Sequence, residues 1–115
     1  MRAWLLLPLV GLLAACDSSV PCDDTIVSRV PSPDGAYEAV YSIHDCGATT
    51  RDAAWIRVIH AGASTESVEP IATFDGEIST LPTWQGRTLH IHYGQSKPFR
   101  MGPNFENVRV EYSPD

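Results

Sequence analysis

Three cysteines and four histidines carry most of the reactive chemistry in this chain of 115 residues. Cys46 lies in Asp45-Cys46-Gly47-Ala48-Thr49-Thr50, two positions after His44. A thiol beside an imidazole can be a nucleophile. Two thiols can hold a soft metal, and in an oxidising compartment they can close a disulfide. His90 and His92 form a second pair, two apart on an alternating segment, so both imidazoles point to one side. His-x-His occurs at metal sites, but a third ligand must come from His44, His60 or a carboxylate on a neighbouring strand. The simpler reading is a polar outer face, so His90 and His92 are weak metal candidates and no catalytic residue is assigned. The acids Asp23, Asp24, Glu66 and Glu69 read as scattered loop residues that match no calcium loop. No G-x-S-x-G, P-loop, dinucleotide fingerprint or H-E-x-x-H occurs. No cofactor is expected, and the chain reads as a non-enzyme.

The N-terminus has the anatomy of an export signal. Met1-Arg2 is positive, Trp4–Leu13 is apolar apart from Pro8 and Gly11, and small Ala14 and Ala15 precede Cys16. The apolar run spans about 21 Å as a helix, short of a hydrocarbon core of about 30 Å. Leu13-Ala14-Ala15-Cys16 resembles the lipobox of bacterial lipoproteins. That resemblance implies cleavage after residue 15, acylation of Cys16 and anchoring by two or three acyl chains, palmitate among them. Such anchoring is stable where a single chain is marginal. Asp17 resembles the signal that retains lipoproteins in the inner membrane of enteric-type envelopes, although outer-membrane residence is also open. The expected organisation is a signal peptide over 1–15, an anchor and polar tether over 16–24, and one β domain over 25–115.

Lipidation of Cys16 leaves Cys22 and Cys46, and an extracytoplasmic location lets them pair. The expectation is a Cys22–Cys46 disulfide, with a metal thiolate pair or a reactive thiol as the competing readings. Cleavage would also remove Arg2 and no acid, leaving seven Lys and Arg against fourteen Asp and Glu, a net charge of −7. An acidic domain repels nucleic acid and anionic lipid surfaces, so no nucleic-acid partner is expected. Its charge suits a basic protein or a cation, or serves solubility alone. Nothing in the sequence sets an oligomeric state.

The elements that must position these residues are short strands. Thr25–Val30 is β-branched and strand-like. Ser32-Pro33-Asp34-Gly35 is a turn: Pro33 presets φ, Asp34 tolerates the next position and Gly35 takes a positive φ. Ala36–His44 then returns as the second half of a hairpin. Gly47 is expected at a φ that other residues dislike, and Thr49 and Thr50 are expected to bond the turn backbone. Trp55–His60, Pro70–Phe74, Thr88–Tyr93 and Asn107–Tyr112 read as further strands, with a short one at Phe99–Met101. Nine prolines and eight glycines interrupt any helical period. The fold class is therefore all-β, a single small antiparallel sandwich or barrel-like sheet of about six to seven short strands.

Ser32-Pro33-Asp34-Gly35 and the Trp84…Leu89-x-Ile91-x-Tyr93 pattern resemble blades of periplasmic propellers, but about 100 residues hold too few blades. Taken with Asp45–Thr50 and Val108-x-Val110-x-Tyr112, the same segments resemble a family of small exported bacterial proteins to which no activity is attached. The family pattern has a glycine-aromatic pair where this chain has Arg51-Asp52. The resemblance implies export and a β fold. Function is expected to be that of a non-catalytic, lipid-anchored binding or structural module facing the periplasm, with a partner in the envelope. Two alternatives are an inhibitor resembling the small acidic lipoproteins that block basic lysozymes, and a metal-binding protein or enzyme using the His90/His92 face.

Overall fold

The computed structural model describes residues 22–47, 51–66 and 68–114. Cys16, Asp17, the leader, most of the tether, and Thr49 and Thr50 lie outside the described residues.

The described residues are all-β and form nine strands. They are β1 (Asp23–Pro31), β2 (Tyr37–Asp45), β3 (Ala53–His60), β4 (Ala72–Asp75), β5 (Thr83–Gln85), β6 (Thr88–His92), β7 (Lys97–Met101), β8 (Asn104–Phe105) and β9 (Val108–Ser113). A five-stranded sheet runs β1-β2-β3-β4-β7 and a four-stranded sheet runs β5-β6-β9-β8. The expected six to seven strands are exceeded because β5 and β8 are three- and two-residue segments too short to carry a period. Neither sheet closes into a barrel. β1 starts at Asp23, so Asp23 and Asp24 belong to the domain and not to a tether.

Pairing is antiparallel except between β6 and β9, which run parallel from Thr88↔Arg109 to His92↔Ser113. Parallel neighbours need a long crossover. Residues 93–107 supply it by leaving for the first sheet, where they form β7, and returning through β8. Nothing in the alternation of either strand distinguishes this arrangement from an antiparallel hairpin.

Alternation explains the core. Tyr37, Ala39 and Tyr41 on β2 align with His60, Val58 and Ile56 on β3. Ala72 and Phe74 on β4 continue the face beside Ile56 and Ala54. Leu89, Ile91, Val108 and Val110 cover it from the second sheet. Phe74, Ile56, Leu89 and Ile91 are fully buried, and each large apolar side chain removed from water stabilises the fold by about 1.5–3 kcal/mol. Polar ties fix how the layers sit. The Trp84 indole N–H donates to the Val30 carbonyl at 2.8 Å. The Tyr41 hydroxyl donates to the Ile78 carbonyl at 3.2 Å and accepts from the Ile78 N–H at 3.1 Å. One phenol thereby satisfies both backbone groups of a buried residue.

The first hairpin forms as its sequence expects. Asp34 accepts from the Ser32 hydroxyl (2.7 Å) and the Ala36 N–H (3.0 Å), and Arg87 in the β5–β6 turn donates to its second oxygen at 2.7 Å. These donors hold the Asp34 carboxyl down at a pKa of about 2, the Ala36 N–H contributing most. Gly35 has φ of 75° and Gly47 of 127°, both in the region expected of them.

Candidate functional site

The face of the five-stranded sheet that points away from the main core is not simply solvated. Register places Asp24, His44 and Ala53 in one cross-strand row, and Ile26, Ser42 and Trp55 in the next, with Arg57 opposite Val40 beyond. Val40, Ser42 and Ile59 have no more than 1% exposure here, and Arg57 has 6%. The segment after β3 contributes the covering: Arg57 Nε–H donates to the Val68 carbonyl at 2.9 Å. Arg57 also donates to the Ser42 hydroxyl (3.2 Å) and to Asp24 (3.4 Å), and its guanidinium lies 5.0 Å from the centre of the Trp55 ring. A buried cation survives only with such partners. The cavity beside it, about 320 Å³, is lined by Asp24, Ile26, Ser42, Arg57, Thr65 and Glu66.

His44 is held from three sides. Its ring stacks on Trp55 with centroids 3.7 Å apart and planes 11° from parallel. Nδ1 meets Asp24 Oδ1 at 2.5 Å. A carboxylate only accepts, so Nδ1 carries the proton in this bond. In the neutral ring Nε2 is then the atom with a lone pair, and it lies 3.2 Å from Cys46 Sγ. Cys46 is bonded to Cys22, as expected from the sequence. The order Asp24–His44–Cys46 has the form of an activated-thiol triad, but with its sulfur in a disulfide it holds no nucleophile. Among the described residues, the group of three side chains that could hold a metal ion is Cys22, His44 and Cys46, with ligand atoms within 4.8 Å of one another.

The structure places His90 and His92 on the outward side of β6, alternating with buried Leu89 and Ile91, as alternation expects. His90 Nε2 approaches Glu111 at 3.5 Å and His92 Nδ1 meets the Ser113 hydroxyl at 2.6 Å. Both partners come from β9. His44 and His60 belong to the other sheet, so the third ligand suggested from them is not delivered to this pair.

Reading Asp24 as a loop acid is corrected: it is a strand residue shared by His44 and Arg57. Arg57 was legible as an anomaly, a cation inside Trp55-Ile56-Arg57-Val58-Ile59. Glu106 carried no local signal. It has φ of 54° in the two-residue connection between β8 and β9, a region that costs non-glycine residues energy. Its carboxylate accepts from the Tyr37 hydroxyl at 3.1 Å and meets His60 at 3.0 Å. The bond to His60, ahead of that to Tyr37, lowers the Glu106 pKa.

No protein-family model, curated protein or solved structure matches the chain. Its class is therefore stated by architecture: a two-sheet, all-β domain with one disulfide and a partly covered polar face.

Proposed function

We propose that this is a non-catalytic, lipid-anchored protein of the bacterial cell envelope, facing the periplasm, whose β domain binds another envelope protein along β7. The observation that carries the reading is the exposure of large apolar side chains on that strand. Phe99 is 62% and Met101 44% exposed, interleaved with the cations Lys97 and Arg100. β7 is the last strand of its sheet, and among the described residues no strand pairs with its outer side. Pro98 and the irregular register beside Phe74 suit an edge protected against indiscriminate strand addition. Contact would run through side chains, with Phe99 as the aromatic anchor. Although the domain is acidic as a whole, this strand is locally basic. The partner surface it suits is apolar and rimmed by carboxylates.

A photo-crosslinking residue at position 99, in the full chain in cells, is expected to trap one specific envelope protein. The same residue at Asn107, exposed in the β8–β9 turn, should not. Equal trapping from both positions, or none from position 99, defeats the binding reading. Cys16→Ser is expected to move the protein from the membrane fraction to the soluble one. Continued membrane retention defeats the anchor.

A further inference from the structure

We propose that Cys22, Cys46 and His44 form a redox-gated site for a soft divalent cation, zinc above all, which opens when the Cys22–Cys46 bond is reduced. The ligand set is of the kind zinc prefers, two thiolates and one imidazole. Tetrahedral zinc would hold its sulfurs about 3.8 Å apart and each sulfur about 3.6 Å from the nitrogen, from metal–ligand lengths of about 2.3 and 2.0–2.1 Å. Cys46 Sγ already lies 3.2 Å from His44 Nε2. The sulfurs need only separate from their bond, a side-chain rotation at two positions that directly adjoin the paired residues Asp23↔Asp45.

The second observation is the way His44 is supported. Metal-binding histidines commonly donate their other N–H to a carboxylate, which fixes tautomer and ring plane. Asp24 occupies that role at Nδ1, Arg57 restrains Asp24 in turn, and Trp55 stacks on the ring. Nε2 already faces the Cys46 sulfur before any metal arrives.

The redox step balances with a dithiol as reductant. The dithiol gives two electrons and two protons to the Sγ–Sγ bond, which breaks to two thiols while the dithiol closes to its own disulfide. Zinc then displaces both thiol protons to solvent. His44 contributes a lone pair without a proton change, and water takes the fourth position. In the disulfide form neither sulfur is a thiolate, so the site is closed.

The test uses the full chain in detergent micelles, oxidised or reduced with a phosphine, titrated with zinc chloride against a chromophoric chelator and separately with cobalt(II). The reduced protein is expected to bind one zinc per chain at least 100-fold more tightly than the oxidised protein. Cobalt is expected to give thiolate charge-transfer and tetrahedral ligand-field bands. Asp24→Asn should weaken zinc binding about 10- to 100-fold, and His44→Ala at least as much. The double variant His90→Ala/His92→Ala should bind as the parent does. Equal affinity in the two redox states overturns the proposal. So does loss of binding in the His90/His92 variant, or unchanged affinity in Asp24→Asn, which would mean two thiols binding zinc in an opened chain. If reduction alone unfolds the domain, zinc is expected to restore the strand circular-dichroism signal, and failure to do so also overturns it.

Discussion

His44-x-Cys46 and His90-x-His92 have the same spacing, and in each the first histidine faces an acid directly across the sheet. Asp24 stands opposite His44, and Glu111 opposite His90. Yet the two regions differ. His44 is stacked on Trp55, its Nδ1 is bound to Asp24 at 2.5 Å, and its Nε2 faces a sulfur. His90 reaches Glu111 only at 3.5 Å, and no ring contact is seen for it among the described residues. Period-two spacing puts two groups on one face, but whether they become a site depends on the strand alongside. β1 and Cys22 just before it bring a second sulfur and an anchored carboxylate to the first pair. β9 brings an exposed glutamate and a serine to the second.

The contrast can be broken by experiment. The largest effect expected is from removing the disulfide. The double variant Cys22→Ala/Cys46→Ala should lose about 3–4 kcal/mol of unfolding free energy, the loop-closure value for a bridge of this span. Chemical denaturation measures it, and a loss below about 1 kcal/mol would mean that β1 docks unaided. Next is Arg57→Leu, which strips partners from the Val68 carbonyl, Ser42 and Asp24. A loss of about 2–3 kcal/mol is expected, less than for a fully buried pair because Asp24 is partly exposed. A stabilised variant would show that the guanidinium is a burden on this face.

His44→Ala should cost about 1 kcal/mol through the lost stack and hydrogen bond, against less than about 0.5 kcal/mol for His90→Ala. Equal costs would erase the distinction between the regions. The smallest effect separates the acid response of the hairpin from that of the His44 region. The folded Asp34 pKa lies near 2, below the ordinary value of 3.8. Its contribution is therefore present above pH 4 and lost as pH falls through about 2. Asp34→Asn should flatten the stability profile between those values, and an unchanged slope there would place the acid sensitivity elsewhere.

Much of the strand grammar was legible in local sequence. Ser32–Gly35 contains the residues that its turn requires, and Leu89-x-Ile91 declares its buried face by period alone. The boundaries near β5, β7 and β8 were not, since segments of two to five residues bordered by glycine or proline hold too little pattern. The candidate site was half legible. Cys46 and His44 lie two apart in sequence, whereas Asp24 looked like a tether acid and Trp55 and Arg57 looked like neighbours in a third strand.

By itself the sequence determined the all-β class, the first hairpin and the inward side of β6, because alternation and turn chemistry act over a few residues. It also carries the lipobox resemblance at Cys16, on which the proposed anchor rests. Tertiary structure decided the rest. The parallel β6–β9 pair, the burial of Arg57 and the meeting of Asp24, His44, Trp55 and the Cys22–Cys46 bridge all depend on which strands lie side by side. Register across a sheet joins residues distant in sequence, and no local period encodes it.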